Sequence, residues 1–242
     1  MSRKLPSLKI LILSVGILFP AAVSQALHAQ GPVVDSMPRA SKTPLAPGEI
    51  DTALSRIYVH VDKTGIGHEH GVEGKLKSGQ LQLGVNRDAG ELVIDMTSFN
   101  ADTDEARRYV GLDGSTDPGT RKEVNNNMLG PDVLDVQKYP TATFKVSSIQ
   151  SVNAKRPNAP PQLQLVGEFT LHGTTNNLTL VADTAKVNGY TRIYGNFSIL
   201  QSDYGITPFR KALGVVGVAD RLTIWGELWV AEQQAAQPGV QR

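Results

Sequence analysis

The chain has 242 residues, of which 40% are hydrophobic and 19% are charged, a composition typical of folded proteins and not of disordered ones. Lysine and arginine number 24 against 23 aspartate and glutamate residues. This balance offers no basic field to a polyanion, so we expect no nucleic-acid partner. Cysteine is absent, which excludes disulfide bonds, thiolate metal sites and cysteine nucleophiles.

The N-terminus has the order of a secretory signal peptide, which we predict over residues 1–26. A basic start precedes an apolar run at 10–19, and small residues follow up to Ala26. Cleavage after Ala29 is the alternative. The apolar run is too short to cross a bilayer, which takes about 20 residues. We therefore expect a periplasmic or secreted protein with no transmembrane segment in its mature chain.

Two segments flank the predicted domain. Residues 27–48 contain four prolines and no periodic apolar pattern, which is typical of an extended linker. Residues 233–242 also lack a pattern, and we predict a flexible tail there. The folded unit is therefore predicted to span 49–232 as one barrel domain.

Most of this unit is predicted to be β-strand. Apolar and polar residues alternate with a period of two, which is the pattern of strands with one buried face. Short connections, among them the hairpin dipeptide Asn188-Gly189, indicate antiparallel neighbours. The predicted strands are residues 55–62, 72–77, 80–85, 91–96, 141–149, 162–171, 176–187, 190–200 and 220–230.

A polar interval at 98–139 interrupts the strands. Thr120 and Glu123 have the spacing of a capping box ahead of 124–129, which predicts a short helix there. We therefore predict an all-β fold, an eight-stranded or slightly larger antiparallel barrel with a short helical excursion between strands. Closure at eight strands leaves an interior that side chains fill or that holds one small ligand.

Five motifs, in this order, resemble the YceI-like family of secreted, lipocalin-like barrels that bind polyisoprenoid lipids. They are GHEH at 67–70, TSFNADT at 97–103, KYPTATFK at 138–145, GEFTLHGTT at 167–175 and FSILQSDYGI at 197–206. The resemblance covers residues 50–231. In two places the chain departs from the family pattern: Arg107-Arg108 stands where the family has Arg-Asp, and Gln201 where it has arginine. These departures leave the identity of the ligand open.

The resemblance implies an exported binding protein that sequesters or carries an isoprenoid lipid, either a polyisoprenoid or an isoprenoid quinone. It implies no enzymatic activity, and no cofactor other than the bound lipid. Burial in an apolar interior is worth about 0.8 kcal/mol per CH₂ group, so apolar walls supply affinity. The candidate lining residues are Ile57, Val59, Leu92, Ile94, Phe144, Phe169, Leu171, Phe197, Ile199, Leu222 and Ile224.

The same alternation also suits a fully packed barrel. An envelope-stress protein with a packed barrel, acting as a structural or interaction partner, is therefore an alternative function. The sequence leaves open whether the protein forms a homodimer.

His68 and His70 are the candidate polar residues at the mouth of the barrel. They are separated by one residue, so in an extended segment both imidazoles project from the same face. Such a pair can reach one metal ion if a third ligand comes from His60 or from an acid of the excursion. That arrangement would allow a metal-dependent enzyme, a second alternative function. We favour hydrogen bonding to backbone in the glycine-rich bend, with contact to a ligand head as the other alternative, and assign no metal ligand and no catalytic residue.

Other polar and aromatic residues receive structural interpretations. Asp102, Asp104 and Glu105 stand beside two arginines, which predicts a solvated charged turn. Trp225 and Trp229 lie on the strand face opposite Leu222 and Ile224, so exterior packing is favoured over contact with a ligand. His172, directly before a glycine, is predicted to support a hairpin turn.

Overall fold

The computed structural model describes residues 44–153 and 159–232. The predicted signal peptide at 1–26, the predicted tail at 233–242 and most of the predicted linker at 27–48 lie outside the described residues. No helix within the described ranges combines the length and the apolar character that crossing a membrane requires.

The described residues form nine strands. They are β1 (Arg56–Gly65), β2 (His70–Leu81), β3 (Gly90–Ala101), β4 (Thr141–Val152), β5 (Gln162–Leu171), β6 (Thr174–Val187), β7 (Tyr190–Leu200), β8 (Arg210–Lys211) and β9 (Val216–Ala231). Strands β1 to β7 follow one another in the sheet, β9 joins β7, and β9 also pairs with β1. All of these pairs are antiparallel. The result is a closed eight-stranded barrel, as predicted, with the two-residue β8 attached to β9.

Two predicted strands prove to be one. The runs at 72–77 and 80–85 were expected to be separate, whereas β2 continues through Leu81. The register with β3 shifts between Glu73 and Lys75 and again between Leu76 and Ser78. At the second shift the extra residue lies on β2, and such a bulge reverses which face the following side chains occupy. The continuous strand therefore has the sequence pattern of two.

The excursion between β3 and β4 contains two helices, α1 (Asp104–Tyr109) and α2 (Pro118–Leu129). The predicted helix therefore begins earlier than 124. Its N-cap is Asp117, whose carboxylate accepts from the N–H groups of Gly119 and Thr120, each at 3.0 Å, so the capping box predicted at Thr120 is wrong. Proline at the first helical position suits this start. Helix α1 was not predicted.

Helix α2 lies over one end of the barrel. The Asn125 side-chain oxygen accepts from the Ala101 N–H at 2.8 Å, which ties the helix to the end of β3. Val124 and Met128, one helical turn apart, pack against a buried cluster on β1, β2 and β3. The helix thus supplies apolar cover to strand ends that would otherwise face solvent.

The opposite end of the barrel is plugged by side chains. Ile50, just ahead of β1, forms a bridge to Val230, and its N–H donates to the Gly79 carbonyl at 2.9 Å. The residues packed at this end are all at most 2% exposed: Ile50, Leu81, Ala89, Ile149 and Val230. The barrel is therefore closed by its core at this end and covered by α2 at the other.

Candidate functional site

A cavity of about 260 Å³ occupies the barrel interior. Its walls are mostly leucine, isoleucine, valine and phenylalanine side chains from the inward faces of the strands. The eleven candidate lining residues all lie on it: Ile57, Val59, Leu92, Ile94, Phe144, Phe169, Leu171, Phe197, Ile199, Leu222 and Ile224. Whether they touch a ligand stays a prediction.

Helix α2 and a few polar residues complete the lining, and of these only His70 was named from the sequence as a candidate for contact with a ligand. Val124 and Met128 reach the cavity from α2, and their four-residue spacing was the available signal. The polar lining residues are His70, Asn127, Tyr194, Asn196 and Gln201. The Gln201 side-chain amide donates to the Ala219 carbonyl at 2.8 Å. This hydrogen bond fixes the side chain to the barrel wall.

The hydrogen-bonded ladder between β6 and β7 is incomplete. Their ladder runs from Val187↔Tyr190 only as far as Asp183↔Tyr194. Beyond that point, in the described part of the chain, residues 174–182 of β6 pair with β5 alone and residues 195–200 of β7 pair with β9 alone. We call this unpaired stretch the β6–β7 gap.

Residues on both sides of the β6–β7 gap reach the cavity. Val181 is 44% exposed and faces outward, yet it also borders the cavity. Asn196, on the other side of the gap, borders the cavity too. The far end is tied by Asn176, whose amide donates to the Asp203 carbonyl at 2.8 Å. The cavity therefore extends to the side of the barrel, between Val181 and Asn196.

His70 lies on the inner face of β2, because it pairs with the inward-facing Val61 of β1. It lines the cavity, whereas His68 lies beside it, outside the lining. The two rings are 4.7 Å apart between centroids. Glu69 points the other way, with its carboxylate 3.1 Å from His60 Nε2. The structure therefore brings the two histidines together, as their spacing indicated.

The hydrogen-bond partner of His70 is a carboxylate and not backbone. His70 Nδ1 lies 2.7 Å from Asp102 Oδ2. The other oxygen of Asp102 accepts from the Gly71 N–H at 3.2 Å and from Arg107 Nη1 at 3.3 Å. Asp102 is only 1% exposed, so the prediction of a solvated charged turn is wrong for this residue.

These contacts keep Asp102 ionised. Burial by itself raises the pKa of Asp102, but hydrogen bonds and charge from His70, the Gly71 N–H and Arg107 hold that pKa below its usual value. Since the ionised carboxylate can only accept, Nδ1 of His70 carries the proton of their hydrogen bond. The imidazole ring is thereby fixed in both orientation and tautomer.

Gly71 allows helix α1 to lie against this cluster. A Cβ atom built at Gly71 would lie 2.9 Å from the carbonyl carbon and oxygen of Ala106, closer than real contacts allow. Arg107, the next residue of α1, reaches Asp102 from this position. The glycine that follows the GHEH motif is therefore needed for the close approach of strand and helix.

Helix α1 packs on the outer surface of the barrel. Tyr109 stacks on Tyr58 with centroids 3.8 Å apart, and the Tyr58 hydroxyl donates to Glu105 Oε1 at 2.6 Å. Burial, together with the nearby charge of Glu105, raises the pKa of Glu73 above its usual value. The excursion thus serves two surfaces, with α1 on the outside and α2 over the end.

The remaining candidates have structural surroundings. Trp229 is 4% exposed, its indole N–H donates to Glu227 at 3.1 Å, and its ring meets Tyr190 edge-on. Neither Trp225 nor Trp229 is among the described residues that line the cavity. His172 occupies the left-handed region in the β5–β6 turn, with its ring 4.4 Å from Tyr139.

An eight-stranded antiparallel barrel around an apolar cavity defines the class of lipocalin-like barrels. The family model described as "YceI-like domain" matches residues 49–228. The chain belongs to this family. No match is found among curated protein sequences.

Solved structures of similar fold include proteins from three bacteria. A polyisoprenoid binding domain from Saccharophagus degradans, implicated in plant cell wall breakdown, is 13% identical, with a TM-score of 0.51 over 78% of this chain and 100% of that one. Burkholderia cenocepacia BcnA is 19% identical, with a TM-score of 0.47 over 75% and 99% of the two chains. The Campylobacter jejuni YceI protein is 16% identical, with a TM-score of 0.42 over 66% and 85%. At these identities the first match supports the fold alone.

Proposed function

We propose that this protein binds an isoprenoid lipid, a polyisoprenoid or an isoprenoid quinone, and carries or sequesters it in the periplasm after export. The observation that carries the proposal is the apolar cavity inside the barrel. A fully packed barrel, the alternative derived from the sequence, would leave no such space. The description of the Saccharophagus degradans neighbour as a polyisoprenoid binding domain supports the choice of ligand class.

The physical basis is apolar transfer without catalysis. Each CH₂ group that leaves water for an apolar interior contributes about 0.8 kcal/mol, so a branched hydrocarbon chain gains affinity from the wall alone. The polar lining residues, His70 and Asn127 among them, offer hydrogen bonds to a head group. A role in binding therefore requires no catalytic residue.

The size of the cavity restricts how such a ligand is held. A cavity of roughly 150 Å³ is enough for one benzene-sized molecule, so the 260 Å³ present here accommodates only a few isoprene units. A longer chain must extend beyond the enclosed space. The β6–β7 gap provides that exit, because Val181 and Asn196 border both the gap and the cavity.

The test is lipid analysis of protein expressed with its own N-terminal segment. Organic extraction followed by mass spectrometry is expected to release a prenyl lipid in an amount near that of the protein. Repeated recovery of protein without prenyl lipid, combined with no binding of added isoprenoids, would overturn the proposal.

A matched pair of variants localises the ligand. Gly226 lines the cavity, and a Cβ atom added there meets nothing within 4 Å. Gly226→Phe therefore fills the cavity, and we expect it to lose most of the bound lipid. Thr223→Phe, whose side chain points to the outer face of the same strand, is the control and should keep the lipid. Equal lipid content in both variants would place the ligand elsewhere.

A further inference from the structure

We propose that His68, His70 and Asp102 bind a divalent transition-metal ion, with zinc the best match. The side chains each offer one ligand atom, and these three atoms lie within 4.8 Å of one another. This set, called here the His–His–Asp cluster, borders the cavity through His70, whereas His68 and Asp102 lie outside its lining. Its function would add to lipid binding and does not depend on it.

The fold brings the three residues together from two parts of the chain. His70 opens β2 with its side chain on the inner face, and His68 lies two residues before it. Asp102 directly follows β3, whose last residue, Ala101, pairs with Val72 of β2. The start of one strand and the end of the next are therefore adjacent, and the cluster is a consequence of the β2–β3 register.

Asp102 is already held as a metal-binding carboxylate would be. Its Oδ1 atom accepts from the Gly71 N–H and from Arg107, so the carboxylate cannot rotate away. Its Oδ2 atom faces His70. Outer contacts of this kind orient metal ligands in known sites, and the Arg107 guanidinium offsets charge without occupying the oxygen on the histidine side.

A metal ion requires only a small rearrangement. Zinc takes nitrogen and carboxylate oxygen ligands at about 2.0–2.2 Å in a tetrahedron, which separates the ligand atoms by roughly 3.3 Å. His68 is exposed, so rotation of its side chain can close the remaining distance. At His70 the ion would replace the proton that Nδ1 now shares with Asp102.

The donor set selects the kind of ion. Two imidazoles and one carboxylate suit zinc, copper and nickel, whereas calcium and magnesium prefer sites made of oxygen. Three protein ligands leave one coordination position for water or for an oxygen of a bound head group. Because His70 also lines the cavity, that position is near the end of the cavity covered by α2.

The test is zinc titration of the full chain, purified without a histidine tag and stripped with a chelator. No thiolate competes, because the chain has no cysteine. Isothermal titration calorimetry is expected to show uptake of about one zinc ion per chain. His68→Ala changes an exposed residue and leaves the buried Asp102 contacts intact, and it is expected to weaken zinc binding roughly ten- to hundred-fold.

A second histidine serves as the matched control. His172 is far from the cluster along the chain, in the β5–β6 turn with a φ of 52°, and His172→Asn removes an imidazole while keeping a residue that tolerates this backbone. This variant should bind zinc as the unmodified chain does. The proposal is overturned if the unmodified chain takes up no stoichiometric zinc, or if His68→Ala and His70→Gln bind zinc as tightly as His172→Asn. In either case the cluster has a structural role through the hydrogen bonds of Asp102 and does not bind metal.

Discussion

His70 and Asp102 are 32 positions apart in the chain and share a 2.7 Å hydrogen bond at the wall of the cavity. The bond joins the first residue of β2 to the residue that follows β3, and Arg107 of α1 meets the same carboxylate. One buried acid thus connects the barrel wall, the first helix of the excursion and the histidine that faces the ligand space.

The stability of the fold should depend on Asp102. Asp102→Asn removes the charge that compensates Arg107 and leaves the buried guanidinium contact uncompensated, so we expect a loss of about 3 kcal/mol in the free energy of unfolding. Urea denaturation measures this loss. Asp104→Asn, at an exposed neighbouring position, is the control. Indistinguishable midpoints for the two variants would contradict the buried role of Asp102.

Gly71 should not tolerate a side chain. Gly71→Ala places its Cβ atom 2.9 Å from the Ala106 carbonyl, which forces α1 away from β2 at an expected cost of about 1–3 kcal/mol. Gly226→Ala is the matched control, because its Cβ atom meets nothing within 4 Å. Thermal unfolding of both variants measures the difference, and a Gly71→Ala variant as stable as Gly226→Ala would show that α1 does not constrain this position.

Glu73 is expected to give stability a specific pH dependence. Burial and the charge of Glu105 raise its pKa, and a hydrogen bond with Thr103 and the charges of Arg56 and Lys75 only partly oppose them. A carboxyl group whose pKa is higher in the folded state contributes stability that is complete below its unfolded pKa of about 4.3 and is lost as the pH rises through the folded value. Glu73→Gln should therefore stabilise the protein by up to about 1 kcal/mol near pH 7.

The gain in the free energy of unfolding from Glu73→Gln should disappear at a pH below the ordinary glutamate pKa. There the glutamate at position 73 is protonated and is as neutral as the glutamine that replaces it. Urea unfolding at two pH values measures it. Glu168→Gln, at an exposed position of β5, removes an equal charge and serves as control. A gain of the same size at both pH values, or one shared by the control, would rule out titration of Glu73 as its source.

The β6–β7 gap can be tested by closing it. Because the chain has no cysteine, Val181→Cys with Asn196→Cys introduces a unique pair of thiols across the gap. Cross-linking them is expected to slow exchange of a fluorescent isoprenoid at least about ten-fold, a barrier change of about 1.4 kcal/mol, and reduction should restore the rate. Lys145→Cys with Glu168→Cys, on paired positions of the continuous β4–β5 ladder, is the control. Unchanged exchange after closure would show that ligands enter elsewhere.

Much of the barrel could be predicted because its signal is local. The predicted bounds of β5 and β7 are those of the structure, since their alternation is uninterrupted and ends at turn residues. The bulge in β2 between Leu76 and Ser78 reversed the alternation and divided one strand into two predicted ones. Helix α1 is only six residues long and depends on stacking between Tyr58 and Tyr109, which are distant in the chain and carry no local pattern.

The site was predictable only in part, for a related reason. Period-two alternation identified the inward face, so the apolar lining candidates could be named. It does not reveal which strands pair along their whole length, and residues 174–182 alternate as regularly as paired segments do. The partner of His70 was also hidden, because the β2–β3 register and the position of α1 bring Asp102 and Arg107 to it. Asp102 was therefore predicted to be a solvated residue.

The plug formed by Ile50 and its neighbours closes one end of the barrel, and α2 covers the other. A lipid can therefore not pass along the barrel axis, and the β6–β7 gap has to serve both its loading and its release. The part of a long chain that the cavity does not hold would then protrude on that side of every loaded molecule. A membrane or acceptor protein that takes up the cargo would have to approach the barrel from β6 and β7.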